Sequence, residues 1–182
     1  MASIISVSTK PYEKVQLNNY ISLDGVYKGN VESLMRLDYC LQEIIRLEAP
    51  ITIEVLKERF REIFGIEKIS QKLLNIILER VDYFDFKRSD NLYTVTLWPN
   101  SGVTLCQHFR TGYDRSIYNI PREELYLISI EVIANGFRGE AHNRKILEYF
   151  GGELMTEKAS NYLTYIEKYS KKVLEKNYGV IV

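Results

Sequence analysis

The sequence Asp85-Phe86-Lys87 has the acidic-x-lysine form found in metal-dependent nucleases, and Glu79 and Asp82 precede it closely. Such a site needs two or more carboxylates that converge on Mg²⁺, with a lysine beside the attacking water. These groups normally lie on adjacent strands of a mixed sheet, whereas the pattern here predicts the end of a helix and the start of a hairpin. We therefore expect no nuclease site.

The cysteine and histidine residues are too few and too scattered to predict a zinc site. The chain has two of each, Cys40, Cys106, His108 and His142, whereas zinc sites need four ligands, usually as close pairs at fixed spacing. The sequence also lacks a Gly-x-Ser-x-Gly elbow and a glycine-rich phosphate loop ending in Lys-Ser or Lys-Thr,. We expect no catalytic residues, no metal and no cofactor, with Cys106 buried and His108 at the surface.

Composition predicts a folded protein that is not specialised for coating DNA. The 182 residues are 46% hydrophobic with only 4 prolines, as in chains that bury a core. The 24 basic and 24 acidic side chains cancel, so any contact with nucleic acid must come from local patches. Residues 1–10 lack a secretory pattern, and no apolar stretch is long enough for a membrane span. We expect a cytoplasmic protein with reduced thiols and no membrane contact.

A helical period dominates the first half of the chain. Apolar residues at helical spacing predict a helix that ends at Ala49-Pro50, because proline cannot continue the hydrogen-bond ladder,. Thr52 is placed to cap a second helix, which Gly65 ends in the left-handed conformation. Ser70 is placed to cap a third helix. Three short helices are therefore predicted in succession.

A hairpin is predicted after the third helix, because the apolar period changes there. The strands are expected at residues 86–88 and 92–98, around a turn at residues 89–91,. The predicted order is that of a winged helix–turn–helix: helix, short link, helix, turn, helix and hairpin. We expect its helices to pack around three side chains: Phe60, Phe64 and Leu74.

The second half of the chain repeats this order. Phe64-Gly65 aligns with Phe150-Gly151, and such self-similarity usually means that one supersecondary unit is used twice. Thr156 is placed to cap a long last helix. No clear wing is predicted after it, because residues 179–182 supply one short strand at most.

The predicted fold is mainly α with a small β-hairpin (α+β), built from tandem winged helix–turn–helix-like units. Its parts are an N-terminal arm at residues 1–30, a first winged-helix-like unit at 31–98, a linker at 99–121 and a second helix–turn–helix-like unit at 122–182.

Several stretches at characteristic distances carry a family resemblance. They are Glu48-Ala49-Pro50-Ile51 after an apolar helix, Arg59, Phe64-Gly65, the closing Leu97-Trp98-Pro99, and Ile120-Pro121-Arg122-Glu123-Glu124-Leu125. From about Leu37 to Tyr169 the chain resembles the uncharacterised domain at the C-terminal end of large bacterial superfamily 1 DNA helicases, which often carry endonuclease-like segments too.

The resemblance implies an accessory role rather than ATP hydrolysis, because the helicase motor is absent. The family tends to have an arginine-containing turn after Phe-Gly, where this chain has Ile66-Glu67-Lys68-Ile69-Ser70. If that arginine touches phosphate in the family, this chain has lost or replaced the contact.

The positions expected to bind DNA carry basic or amide side chains. In a winged helix the third helix enters the major groove and the wing touches the backbone, where amides pair with adenine and lysines reach guanine or phosphate. The expected positions lie on the third helix, the wing, the linker and the last helix: Lys68, Gln71, Lys72, Asn75, Lys87, Arg88, Arg110, Arg115, Lys158 and Lys172. We expect the first unit to read DNA and the second to brace it or to hold a partner.

The predicted function is that of a non-catalytic DNA-binding accessory domain of a helicase/nuclease-type DNA-processing or defence system. The alternative is a protein–protein interaction or dimerisation module without nucleic-acid binding. Zero net charge and 14 tyrosines favour that alternative, because tyrosine combines a large apolar contact area with a polar tip. The candidate partners are DNA, a helicase or nuclease protein, and a second copy of the chain.

Overall fold

Helices and a few short strands follow one another in the computed structural model, which describes residues 7–17, 20–101, 106–112, 115–151 and 154–178. The elements in chain order are β1 (Thr9–Pro11), α1 (Leu23–Tyr27), α2 (Val31–Glu48), β2 (Ile51–Thr52), α3 (Ile53–Phe64), α4 (Gln71–Tyr83), β3 (Lys87–Asp90), β4 (Val95–Trp98), β5 (Phe109–Thr111), a 3-10 helix (Ile117–Asn119), α5 (Arg122–Ala134), α6 (Gly139–Tyr149) and α7 (Glu157–Tyr178). The prediction of a mainly helical α+β fold with a small sheet is confirmed.

The chain divides into two compact units. The first unit comprises Glu13–Asp90 and Thr94–Thr104, and the second comprises Met1–Tyr12, Asn91–Tyr93 and Leu105–Val182. The predicted N-terminal arm is thus shared between the two units, because β1 belongs to the second unit whereas α1 belongs to the first. Within the described residues, no helix combines the length and apolarity needed to cross a bilayer.

The helices of the first unit begin and end at the residues that the sequence indicates. The Thr52 side chain accepts a hydrogen bond from the backbone N–H of Val55 at 3.3 Å, and Ser70 accepts one from Leu73 at 3.1 Å. Each bond satisfies an N–H group that has no partner within its own helix. Gly65 ends α3 with φ of 62°, a conformation that side chains with a Cβ rarely adopt. All three capping predictions are confirmed.

The sheet of the first unit has the order β2-β4-β3, with antiparallel pairing throughout. Ser89 pairs with Thr96 and Asp90 pairs with Val95, so β3 continues through the residues expected to form the turn. The turn therefore lies at residues 91–94, later than predicted. The indole N–H of Trp98 donates to the Ser89 hydroxyl at 3.0 Å, which fixes the register of the two strands.

The core of the first unit is only partly the predicted one. Phe60 is fully buried, but Phe64 and Leu74 are half-buried. Leu73 and Ile77 are buried instead, because their spacing of four residues places them on the inner face of α4. Other fully buried side chains come from every layer of the unit: Leu37, Leu41, Ile44, Ile51, Leu56 and Leu97.

The second unit is built on three helices, α5, α6 and α7, in the order of α2, α3 and α4. Gly151 follows α6 with φ of 79°, as Gly65 follows α3, which agrees with the expected alignment of these two glycines. The Thr156 hydroxyl accepts from the N–H of Ala159 at 3.1 Å and so caps α7, as predicted. Residues 179–182, where a short strand was predicted, lie outside the described residues.

The segment at residues 99–121 differs from the predicted linker. It contains β5, which pairs in parallel with β1, and the 3-10 helix. Phe109, Ile117 and Ile120 join the core of the second unit. Its other core members come from the three helices: Leu125, Ile128, Val132, Ile146, Leu147, Ala159, Tyr162, Leu163 and Ile166.

Candidate nucleic-acid interface

The helix expected to enter the DNA groove, α4, presents amide and basic side chains to solvent. Gln71, Lys72 and Asn75 of this helix are exposed. Lys68 is exposed too, but it lies in the turn before α4 rather than on the helix where it was predicted. The Gln71 amide donates to the Asn75 carbonyl oxygen at 2.8 Å, so part of the hydrogen-bonding capacity of both amides is used between them.

The charge on α4 and the turn before it is balanced, and Lys72 lies against an aromatic ring. The ammonium of Lys72 lies 5.0 Å from the centre of the Tyr27 ring, an attractive cation–π distance. Lys68 and Lys72 are offset by exposed Glu67 and Glu79. This helix therefore forms a neutral surface rather than a basic one.

The hairpin of the first unit is similarly balanced. Lys87 and Arg88 are exposed, as expected for a wing. Arg88 forms an ion pair with Asp82, and Asp85 and Asp90 are exposed as well. The acidic side chains weaken the field that would attract phosphates to this hairpin.

Arg110 and Arg115, both expected to contact phosphate, are buried in the second unit. The guanidinium of Arg110 donates to Glu124 Oε2 at 2.8 Å. Arg115 donates to both carboxylate oxygens of Glu124, at 2.9 and 2.7 Å. The Tyr12 ring covers both guanidinium groups, with centroid distances of 4.8 and 5.0 Å. The expectation for these two residues is corrected: their donors are directed into the protein.

The charge of Glu124 is stabilised inside this cluster. Burial alone would raise the pKa of Glu124, but the hydrogen bond from Arg115 and the charge of Arg110 outweigh that effect and lower it. The carboxylate is therefore ionised and balances one of the two arginines. Pro121 precedes α5 as its N-cap residue, so Glu124 lies in the first turn of that helix, where a negative charge is also favourable.

The outer face of α7 carries the basic surface that α4 lacks. Lys158, Asn161, Lys168 and Lys172 are exposed, and their spacing places them within roughly a quarter of the helix circumference. Lys176 lies on the same face and is exposed, although the sequence analysis did not single it out. From Lys158 to Lys176 the face extends about 27 Å along the helix.

The lysines of this face outnumber the acids at its edge. Lys171, on the side of α7, forms an ion pair with Glu167 at 2.9 Å. Among the described residues, no ion pair involves the four lysines of the outer face. The exposed acids of α7, Glu157 and Glu175, lie at the edge of that face.

Aromatic rings hold two cations beside this face. The Lys158 ammonium lies 4.9 Å from the centre of the Tyr93 ring and 4.3 Å from that of Tyr118. Arg122 donates to the Tyr165 hydroxyl at 2.5 Å and lies 4.8 Å from the Tyr169 ring centre. Two long side chains are thereby ordered in advance, which reduces the entropy lost when they contact a ligand.

A serine–histidine pair in the second unit lies where no substrate can reach it. Ser129 Oγ is 2.8 Å from His142 Nε2, and His142 Nδ1 is 3.0 Å from the Asn143 side-chain oxygen. Both Ser129 and His142 are fully buried. We interpret the pair as a satisfied polar cluster within the core, since nucleophilic catalysis requires access to the hydroxyl.

The cysteines and the remaining histidine also have structural surroundings. Cys40 and Cys106 are both buried, and burial raises the pKa of the Cys106 thiol. His108 is half-buried rather than fully exposed, with its Nδ1 2.7 Å from the Ser8 hydroxyl. Across the described ranges, no three His, Cys, Asp or Glu side chains are grouped in a way that could hold a metal ion.

A scan against protein-family models, a search of curated proteins and a search of solved structures each found no match for this chain.

Proposed function

We propose that this chain is a non-catalytic accessory module that binds nucleic acid through phosphate contacts on the outer face of α7. The observation that carries the proposal is the exposed row of Lys158, Lys168, Lys172 and Lys176. Ammonium groups act as point charges on phosphates, and release of counterions from the neutralised backbone supplies the affinity. The balanced charges of α4 and the hairpin give weaker support to a contact there.

The proposed contact is with the backbone rather than with base edges. Asn161 is the exposed amide in the middle of the row. The Tyr165 ring is stacked on Tyr162, with centroids 6.3 Å apart, and its hydroxyl is bonded to Arg122. With few groups left for base contacts, we expect binding that tolerates many sequences.

We also propose that the first unit is a winged helix and that the second is related to it. In the first unit, α2, β2, α3, α4, β3 and β4 follow the order of a winged helix, and the β2-β4-β3 sheet supports that interpretation. We interpret α5, α6 and α7 as a helix–turn–helix-like copy. The resemblance to the helicase C-terminal domain supports a role in DNA processing or defence beside a helicase or nuclease, and we expect a cytoplasmic setting, where thiols stay reduced.

The proposal is tested by charge reversal on two helices with matched variants. Lys168→Glu/Lys172→Glu changes α7, and Lys68→Glu/Lys72→Glu makes the same change in net charge on α4 and the turn before it. Binding of a labelled DNA duplex of about two helical turns is measured by fluorescence anisotropy at low salt. We expect the α7 variant to lose binding and the α4 variant to keep most of it.

Two other outcomes would decide against the proposed face. Loss of binding only in the α4 variant would assign the contact to the first unit. Absence of binding by the unmodified protein at low salt would favour the alternative, a protein–protein interaction or dimerisation module. The exposure of three apolar side chains on α2, Val31, Met35 and Tyr39, is the observation that favours a protein contact.

A further inference from the structure

Three apolar side chains form an exposed ridge along α2. Val31, Met35 and Tyr39 are 71%, 66% and 51% exposed. Each lies one helical turn from the next, on the face of α2 opposite the one that packs into the core. A row with this spacing is the kind of ridge that packs into the grooves of another helix. Methionine and tyrosine are also enriched in the buried parts of protein interfaces.

Two further tyrosines border this ridge and enlarge the apolar surface. Tyr20 is 80% exposed, and its carbonyl oxygen accepts a hydrogen bond from Arg36 of α2 at 2.9 Å. Tyr83 is 70% exposed beside Arg80, which pairs with Asp38 of α2.

The apolar area of this surface reaches the scale of a small interface. The exposed parts of Tyr20, Tyr39 and Tyr83 together offer roughly 300–500 Å². With Val31 and Met35, the surface approaches the roughly 600 Å² per partner of a weak interface.

The charges on this face are arranged for pairing with an antiparallel copy of α2. Glu32 lies in the first turn of the helix, where it pairs with Arg36, and Arg46 lies in the last turn, where it pairs with Glu43. Tyr39 lies midway between Glu32 and Arg46, and the seven-residue spacing places all three along one line of the helix. Glu32 and Arg46 are about 21 Å apart along the axis. A two-fold axis at Tyr39 would therefore bring each Glu32 opposite the Arg46 of the other copy.

We propose that α2 is a homodimer interface in which two copies pack antiparallel about Tyr39. A two-fold interface uses the same surface patch on both subunits, so the charges of the patch must complement one another. Glu32 at one end of α2 and Arg46 at the other end meet this requirement. Antiparallel packing also opposes the two helix dipoles favourably. The arginines and glutamates of this face carry both signs in equal number: Glu32, Arg36, Glu43 and Arg46. A second copy is therefore not repelled.

The self-complementary charges allow a test that only a second copy can satisfy. The dimer dissociation constant is measured by sedimentation equilibrium, without nucleic acid, for the Glu32→Arg, Arg46→Glu and Glu32→Arg/Arg46→Glu variants. Each single change places like charges opposite one another twice, so we expect dimerisation to weaken roughly tenfold. The double change reverses both ends and should restore the dissociation constant to within about threefold.

The controls separate the ridge from general effects of charge. Glu54→Arg on α3 disrupts an exposed ion pair with Lys57 of the same kind as that between Glu32 and Arg36, and it should leave the dimer unchanged. Tyr39→Asp places two like charges at the two-fold axis and should yield a monomer with an unchanged helical circular-dichroism spectrum.

The proposal would be overturned by an unmodified protein that stays monomeric at near-millimolar concentration. A double variant that dimerises no better than the single variants would overturn it as well. Nucleic-acid binding by α7 can succeed or fail independently, since these measurements contain no nucleic acid.

Discussion

Arg115 and Glu124 form a buried, doubly hydrogen-bonded ion pair, with Arg115 Nη1 at 2.9 Å and Nη2 at 2.7 Å from the two carboxylate oxygens. Arg115 Nη2 also donates to the backbone oxygen of Arg110 at 2.7 Å. The pair thus ties the strand β5 to the helix α5. This relationship assigns both arginines to the stability of the second unit.

We predict that Glu124→Gln destabilises the second unit strongly. The substitution keeps the size of the side chain but leaves two buried guanidinium groups without a negative partner, which typically costs about 3–5 kcal/mol. Urea unfolding followed by circular dichroism measures the change. Glu140→Gln, which removes an exposed pair with Arg144, is the control, and an equally small effect of both substitutions would contradict the structural role of Glu124.

The positions where helices begin and end could be predicted because their signals are local. Thr52, Ser70 and Thr156 each cap a helix through a backbone N–H group three residues later. Gly65 needs only its own backbone conformation to end α3. Such features depend on neighbouring residues, so the sequence shows them directly.

The role of Arg110 and Arg115 could not be predicted in the same way. Glycine and proline around these arginines are typical of a linker, and linker arginines usually face solvent. Their burial depends on the pairing of β5 with β1, which joins residues such as Lys10 and Arg110 from distant parts of the chain. A single sequence carries no local signal for a contact of that kind.

The candidate interface was predictable by residue type but not by location. Both α4 and α7 have lysines at outward positions, and sequence alone ranked α4 first because it precedes the hairpin. The difference lies in the neighbours: exposed Glu67 and Glu79 match Lys68 and Lys72 one for one, whereas the four exposed lysines of α7 outnumber Glu157 and Glu175 at the edge of their face.

We predict a salt dependence set by the lysines of the outer face of α7. With four phosphates neutralised, the plot of log affinity against log salt concentration should have a slope of roughly −3 to −4 for duplex DNA. Lys172→Gln should reduce the magnitude of that slope by about 0.9. Lys171→Gln, on the same helix but paired with Glu167, is the control, and equal slopes for both variants would argue against the proposed face.

We predict that His142 makes the stability of the second unit depend on pH near neutrality. Burial lowers the pKa of His142, despite the opposing effects of the hydrogen bond with Asn143 and the charge of Glu167. The unfolded chain therefore gains a proton as the pH falls through about 6.5, before the folded chain does. The contribution that neutral His142 makes to the free energy of unfolding is therefore complete above that pH and is lost progressively below it.

The measurement is the free energy of unfolding between about pH 5.5 and 8. His142→Gln should flatten the profile across this window, although it lowers the stability overall by disturbing the bonds to Ser129 and Asn143. His108→Gln, which removes the other histidine, serves as the matched variant. Parallel profiles for the unmodified and His142→Gln proteins would show that another group controls the dependence.

We predict that Thr156→Ala lowers the free energy of unfolding by about 1 kcal/mol, because the N–H of Ala159 loses its side-chain acceptor,. Thr156→Ser retains the hydroxyl and should lose much less. Thermal unfolding of the two variants, compared at one pH, checks this expectation. Identical melting temperatures would mean that the hydroxyl does not stabilise the start of α7.

The two faces of α7 couple ligand binding to folding. Its inner face supplies Ala159, Tyr162, Leu163 and Ile166 to the core, while its outer face carries the lysines, so unfolding the unit disperses the binding surface. A ligand of the folded face raises the free energy of unfolding, by about 2.7 kcal/mol at a hundredfold excess over its dissociation constant. The melting temperature of the protein can therefore rank oligonucleotides, single-stranded or duplex, without any label.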